Sequence, residues 1–491
     1  MPNFNNNIDL HAIARKAMAQ YGFKFGFPKS VTQEVEVISE EALITEHRND
    51  FLDLRSLLWS SIDNADSLDL DQLEYCELGS NQEIAVKVAI ADVDLFVSKQ
   101  SQTDKYAAHN GTSVYTGIET FPMLPERLSN DLSSLRASQD RPAVIIEYTV
   151  LADGSISRGN IYRALVCNKA KLIYEEIGAW LEGKGGIPSS VAQISGLEEQ
   201  IRLQDTAAQR LKSFRMEHGA LELGTIEVNP IVQEDRLMGL VAPVHNRARY
   251  IIENFMIAAN ETMVNFLREA GIPMIQRVVR VPKDWPGIRD VAASYHETLP
   301  VEPDQIALSE FLLRRKAADR EHFPDLSLTI IKLLGAAEYL VILPGEISYG
   351  HFGLAVIDYT HATAPNRRYV DVIIQRLLKA SLAGQVSPYT LKELNENAAW
   401  CTDREKSAKK VKRFMLKAEA AVLLADRCGE IFTGIVTGAS PKGTYVRIIS
   451  PPVEGRVVRG WEGMTVGQKV SVRLVSSDPY QGHLDFERAG S

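Results

Sequence analysis

The sequence predicts an α+β fold: one large domain of intermixed strands and helices, a short helical region before it and a small β-barrel after it. Three observations carry this. Alternating apolar runs at Ile84 to Val97 and Ala143 to Val150 are interleaved with amphipathic helical text at Arg247 to Leu267 and Tyr369 to Ala383, without a regular strand–helix–strand rhythm. Composition changes after Arg427-Cys428-Gly429 to short β-rich runs broken by Gly and Pro. The 491 residues, 45% apolar and 24% charged, suffice for two to four domains with ordinary cores.

In chain order, residues 1–50 form a small N-terminal region. It carries one helix at Leu10 to Gln20, the turn-prone Gly22 to Pro28, and an acidic segment at Glu34 to Glu46. Residues 51–426 read as the large domain, closing with helical text from Leu391 to Asp426. In residues 427–491, the runs Thr433 to Val436, Thr444 to Ile449, Gly455 to Val458 and Lys469 to Val475 predict a five-stranded barrel. An OB-fold fits this spacing, and another small barrel fits it equally on pattern alone.

Bulk properties exclude several classes. No apolar stretch is long enough to span a bilayer, and the polar start Met-Pro-Asn-Phe is unlike a secretory signal, so a cytoplasmic chain without membrane contact is expected. The four cysteines (Cys76, Cys167, Cys401, Cys428) form no CxxC pair, which argues against a zinc site or disulfide framework and for buried thiols. A net charge of -9 excludes a uniformly basic surface but leaves room for a local basic channel.

Ahead of the first long strand, carboxylates crowd at Asp63, Asp66, Asp69 and Asp71. Like charges this close repel unless cations hold them, and hard oxygens select Mg²⁺ or Mn²⁺. The competing reading is a solvated turn, since Asp and Asn form turns readily. An EF-hand is excluded because Ala65 and Leu68 occupy positions that need an oxygen ligand and a glycine.

The acidic loop is followed by Val88-Ala-Ile-Ala-Asp-Val-Asp94, Gly111-Thr-Ser-Val-Tyr115, Pro122-Met-Leu-Pro-Glu-Arg-Leu-Ser129, His351-Phe-Gly-Leu354 and Thr363-Ala-Pro-Asn-Arg-Arg-Tyr-Val-Asp371. In that order these motifs resemble the catalytic (RNB) domain of the ribonuclease II / ribonuclease R family of 3′→5′ exoribonucleases, and the likeness covers about three quarters of the chain. The resemblance implies metal ligands at Asp63, Asp69 and Asp71, with Asp71 the most critical. It implies a catalytic arginine at Arg367, with Arg368 its rival, and aromatic RNA contacts at Tyr115 and Tyr174. It also implies that the tail is an RNA-binding OB-fold.

Three departures stand out. Gln72 replaces a fourth aspartate, keeping an oxygen donor but no charge; Asp66 is a candidate substitute. Leu223 stands where the family places a clamping phenylalanine. The N-terminal region has no room for the family's paired cold-shock domains.

The chemistry agrees with these assignments. Two metals can activate water and neutralise a leaving 3′ oxygen, a guanidinium matches phosphate geometry, and aromatic faces stack any base. A basic stripe, Arg404, Lys406, Lys409, Lys410, Lys412, Arg413 and Lys417, faces a single acid, Glu405, and suits RNA phosphates. Phe432, Lys442, Tyr445 and Arg447 are spaced as a barrel's ligand face. The expected protein is a Mg²⁺-dependent exoribonuclease, with Mn²⁺ a possible substitute, that degrades single-stranded RNA processively to 5′-mononucleotides. If Gln72 abolishes metal binding, the alternative is a protein that holds RNA 3′ ends; a phosphatase acting on small phosphates would leave the basic helix and tail without purpose.

Overall fold

A computed structural model describes residues 8–157, 159–224, 229–233, 236–241, 245–280, 282–320, 322–440 and 443–490. The body is built on a mixed seven-stranded sheet in the order Leu52–Asp53, Asn160–Cys167, Asp140–Val150, Ile84–Ala91, Gln72–Leu78, Ser60–Asp63 and Ala170–Ile173. The two outer pairs are parallel and the inner pairs antiparallel. The central strand Ile84–Ala91 reads as a nearly continuous apolar run because both of its faces are buried. The strand stops at Ala91, short of the expected Val97. There the Asp92 carboxylate caps a single helical turn, Val93–Leu95, and pairs with Arg163 at 3.0 Å and Lys379 at 2.9 Å.

The amphipathic text forms helices where expected, at Arg247–Glu269 and Tyr369–Leu382. Their apolar faces join the main core with residues such as Phe255, Val264, Ile373 and Leu377. A second cluster was not anticipated. Helices Trp285–Ser294, Gln305–Ala318 and Phe323–Leu334 pack around Ile288, Leu308, Phe311 and Ile330, making a separate apolar core within the large region.

The N-terminal helix Leu10–Gln20 is capped by Asp9, and the acidic segment divides into helices Lys29–Glu36 and Glu40–Glu46, the second capped by Ser39. This region shares its core with the rest of the chain. Ile13, Ala14, Ala17 and Met18 pack on Val411, Met415 and Ala418 of the long helix Leu391–Leu424, and on Val114 and Phe121 of a hairpin, Val114–Tyr115 with Thr120–Phe121. Thr390 and Glu393 close that long helix with a reciprocal capping box.

At its far end the long helix meets a closed barrel of strands Ile431–Ser440, Gly443–Ile448, Glu454–Arg459, His483–Arg488 and Lys469–Asp478. The strand His483–Arg488 completes the four runs legible in the sequence. Phe432 faces inward, stacked edge-on against Phe486, rather than outward as a ligand-face residue. Arg447 is taken by Asp325 at 2.8 Å. Tyr445 stays on the outer surface beside Arg456, and Lys442 lies outside the described residues. Of the cysteines, Cys76 and Cys401 are buried as expected, while Cys167 is partly exposed and Cys428 exposed.

Arg404 is not part of an exposed stripe. It is buried, donates to the carbonyls of Tyr21 and Gly22, and lies over the rings of Phe23 and Trp400. Gly111 presses against it from the other side. Its φ is +68°, and a Cβ there would sit 2.8 Å from the Cβ of Arg404. Left-handed backbone and steric overlap add, so Gly111→Ala should lower unfolding free energy by about 2–4 kcal/mol. Urea denaturation checks this; an unchanged midpoint would mean the helix and residue 111 can separate freely.

Candidate active site

Two parallel strands bring the first site residues together. Asp63 ends Ser60–Asp63 and pairs with Ile173, so Tyr174, the next residue after Ile173, emerges at the same edge. The loop between Asp63 and Asp71 is held by the protein's own side chains. Lys171 Nζ donates to the carbonyls of Ala65 (2.8 Å) and Ser67 (2.6 Å), and Ser134 Oγ bridges the Leu68 carbonyl (2.7 Å) and the Leu70 amide (3.0 Å). Asp63 accepts from Ser67 Oγ and from the Asn64 amide, both at 2.7 Å. Asp66 is exposed and is not among the residues lining the site's cavity.

The second half comes from the turn before Tyr369–Leu382. Asp71, only 3% exposed, accepts the Asn366 amide at 2.9 Å, and its other oxygen lies 3.5 Å from Arg367 Nε. Arg368 is committed elsewhere: it grips the fully buried Asp371 with Nε at 2.8 Å and a second nitrogen at 2.7 Å. Asp371 also accepts the Ala364 amide at 2.7 Å, fixing the turn. Of the two arginines, Arg367 is therefore the one available, with 44% of its side chain exposed. Its carbonyl accepts from the Ser113 amide (2.9 Å) and Thr112 Oγ (3.0 Å), which ties the Tyr115 hairpin to the same turn. Tyr115 donates its hydroxyl to Asp69 at 3.0 Å.

These groups line one cavity of about 550 Å³. Its polar wall holds Asp63, Asp69, Asp71, Gln72, Tyr115, Tyr174, Arg367 and Arg368; Ile252, Met256, Ile257 and Leu354 line an apolar side. Lys409, Lys410, Arg413, Phe432 and Tyr445 are not part of this lining. Lys409 pairs with Glu405 at 2.6 Å, Lys410 lies 6.0 Å from the Tyr21 ring centre, and Arg413 is solvent-facing. Leu223 packs on the separate helical cluster, while Leu354 and Tyr359 face the cavity.

Sequence reasoning missed Arg249, Glu253 and Asn64. Arg249 lies 4.3 Å from the centre of the Tyr174 ring and donates to Asn64 (3.2 Å) and Glu175 (2.9 Å). The i, i+4 spacing of Arg249 with Glu253 and of Ile252 with Met256 was visible; which helix face would look into the cavity was not.

Burial dominates the electrostatics. It pushes Asp71 up to about 7, with Asp69 adding to the rise and Arg367 and the Asn366 amide opposing it. Asp69 is raised for the same first reason. Glu74, fully buried, is held well above the ordinary carboxyl range by burial and by Asp63. Among the described residues, no three His, Cys, Asp or Glu side chains already converge as a metal cluster. The donor chemistry nonetheless fits a hard divalent cation: Asp69 and Asp71 offer adjacent carboxylates whose ionisation is disfavoured until positive charge arrives.

A mixed body with an acidic, arginine-bearing cavity, followed by a β-barrel, defines a two-part chain of RNase II type. Residues 51–384 match the RNB domain and residues 430–489 the RNase II-type exonuclease C-terminal S1 domain. The chain belongs to the RNB-domain family. It is 30% identical to the Ribonuclease R of Aquifex aeolicus over 98% of this chain and 70% of that protein. With the Ribonuclease R of Escherichia coli it shares 29% identity over 90% of this chain, spanning 55% of the longer protein. The fold is that of Mycoplasma genitalium RNase R in its apo form, with a TM-score of 0.87 at 24% identity, covering 98% of this chain and 78% of that one. No helix among the described residues is long and apolar enough to cross a membrane.

The raised Asp71 has a definite pH signature. In divalent-free buffer, its carboxyl ionises near pH 4 in the unfolded chain and near pH 7 in the folded one, so its contribution to stability is lost as pH rises across that window. Asp71→Asn removes this loss. The stability advantage of the variant over wild type should widen by roughly 2–3 kcal/mol between pH 5 and pH 8 and then level off. Paired urea titrations across pH measure it; a difference independent of pH would place the Asp71 pKa at its ordinary value.

Proposed function

We propose that this chain is a cytoplasmic 3′→5′ exoribonuclease that hydrolyses single-stranded RNA processively to 5′-mononucleotides and depends on bound Mg²⁺, with Mn²⁺ as a substitute. The observation that carries the reading is the placement of Arg367, exposed in the cavity and 3.5 Å from a buried aspartate, while Arg368 is spent on Asp371. Membership of the RNB family and 30% identity to a Ribonuclease R support it. Four free cysteines suit a reducing compartment.

Asp69 and Asp71, with Asp63 and Gln72 on the same wall, would hold the cations. Such cations supply water activation and neutralisation of the leaving oxygen. The side chains themselves position the RNA. Arg367, turning from Asp71, presents two parallel, charge-assisted donors to the scissile phosphate. Tyr115 and the Arg249-backed Tyr174 offer aromatic faces to the last bases, each stack contributing roughly 1–3 kcal/mol. Acceptors on Asn64 and Glu253 can receive a ribose 2′-hydroxyl, a feature DNA lacks. The barrel and the exposed lysines of the long helix, outside the cavity, serve affinity for longer strands.

The test is 5′-labelled single-stranded RNA incubated with purified protein, with and without Mg²⁺, and resolved at single-nucleotide length. Stepwise shortening from the 3′ end that requires Mg²⁺ is expected; RNA bound but left intact would overturn the reading.

Two variants probe its parts. Arg367→Lys keeps the charge but loses the fork, so the catalytic rate should fall by at least about tenfold while RNA affinity changes little. Full rate with lysine would mean simple charge suffices. Removing residues 427–491 should weaken binding of long RNA by roughly tens of fold at moderate salt and leave very short oligonucleotides nearly unaffected. Equal losses at both lengths would assign the barrel a role in stability alone.

A further inference from the structure

One same-face step beyond Gln72, the strand Gln72–Leu78 carries a carboxylate that the fold does not use. Glu74 is fully buried, and among the described residues neither of its oxygens has a hydrogen-bond partner. Burying an unpaired carboxyl group costs several kcal/mol, and an apolar side chain would fill this core position without that cost. Such an orphan calls for a cation.

Its surroundings indicate where. Side chains two apart on a strand share a face, roughly 7 Å from one another, so Glu74 lies directly inward of Gln72, which lines the cavity. The charged neighbour that reaches Glu74 is Asp63, another lining residue, and Tyr174 in the cavity wall feels both carboxylates. Ser60, cross-strand partner of Glu74, also carries a buried hydroxyl without a hydrogen-bond partner among the described residues.

Charge balance sharpens the point. Cations taken out of water into a buried two-metal site need nearby negative charge to offset the loss of hydration. Asp69 and Asp71 supply two charges; Asp63 with neutral Gln72 supplies one. We propose that Glu74 carries the charge Gln72 lacks, forming with Asp63 and the Gln72 amide oxygen a second divalent-cation position at the inner end of the cavity. This rests on the metal-dependent reading above.

The test counts Mn²⁺ bound to the full chain, by electron paramagnetic resonance and calorimetry, in the presence of a short single-stranded RNA with a non-hydrolysable terminal linkage. Wild type is expected to bind two ions. Glu74→Gln, close to isosteric, should leave one binding event intact and weaken the other by about tenfold or more. Adding Gln72→Asp to that variant should recover it. Glu74→Leu should show the same loss while raising the metal-free melting temperature, which separates lost ligation from lost folding. Two events of unchanged affinity in Glu74→Gln would overturn the proposal and make Glu74 an inert core acid. Asp71→Asn separates the two claims. If it abolishes an event while Glu74→Gln leaves both events at wild-type affinity, only the role of Glu74 falls; if wild type binds no Mn²⁺, the metal-dependent reading falls with it.

Discussion

The hydrogen bond from the Asn366 amide to the Asp71 carboxylate joins segments 295 residues apart, and the site exists because of it. Without that contact the acidic loop and the arginine turn belong to unrelated parts of the chain. Each partner is anchored from behind. Ser133 donates to the Asn366 side chain at 2.6 Å, Ser134 and Lys171 hold the loop, and Asp371 binds both the turn's backbone and Arg368. A carboxylate buried this deeply resists ionisation, so the burial that comes with assembling the site creates a demand for positive charge that the Asn366 amide and Arg367 only partly offset.

From this junction the supports run outward. The carbonyl of Arg367 holds the Tyr115 hairpin, and the Tyr369 amide donates to the Gly111 carbonyl at 2.9 Å, bringing the hairpin's base against the long helix. The N-terminal helix packs on that same helix and hairpin, and His11 and Arg15 reach Glu119 at 3.1 and 3.4 Å. The N-terminal helix thus buttresses an aromatic wall of the cavity. Two adjacent arginines, indistinguishable as letters, divide into one that builds the turn and one free to meet a ligand.

Much of the site was legible because its chemistry is written in short motifs. Asp63, Asp69, Asp71, Tyr115, Tyr174 and Arg367 all reach the one cavity. Long amphipathic helices were equally plain, since their period is a local property. What escaped depends on contacts between distant segments. Phe432 has the spacing of a surface residue and becomes barrel core because Phe486 closes over it. Arg404 reads as part of a basic stripe, yet the carbonyls of Tyr21 and Gly22 draw it inward. The helices between Trp285 and Leu334 bury their apolar faces against each other instead of against the sheet, which no local pattern announces. Glu74 was passed over as one letter in an alternating strand; its significance lies in having no hydrogen-bond partner among the described residues.

The most direct test of this account is a crystal structure of the full chain with Mn²⁺ and a short single-stranded RNA whose terminal linkage resists hydrolysis. The account predicts anomalous density against Asp69 and Asp71, with Arg367 released from Asp71 onto the terminal phosphate. RNA seated in the cavity without that density, and with Arg367 still beside Asp71, would contradict it.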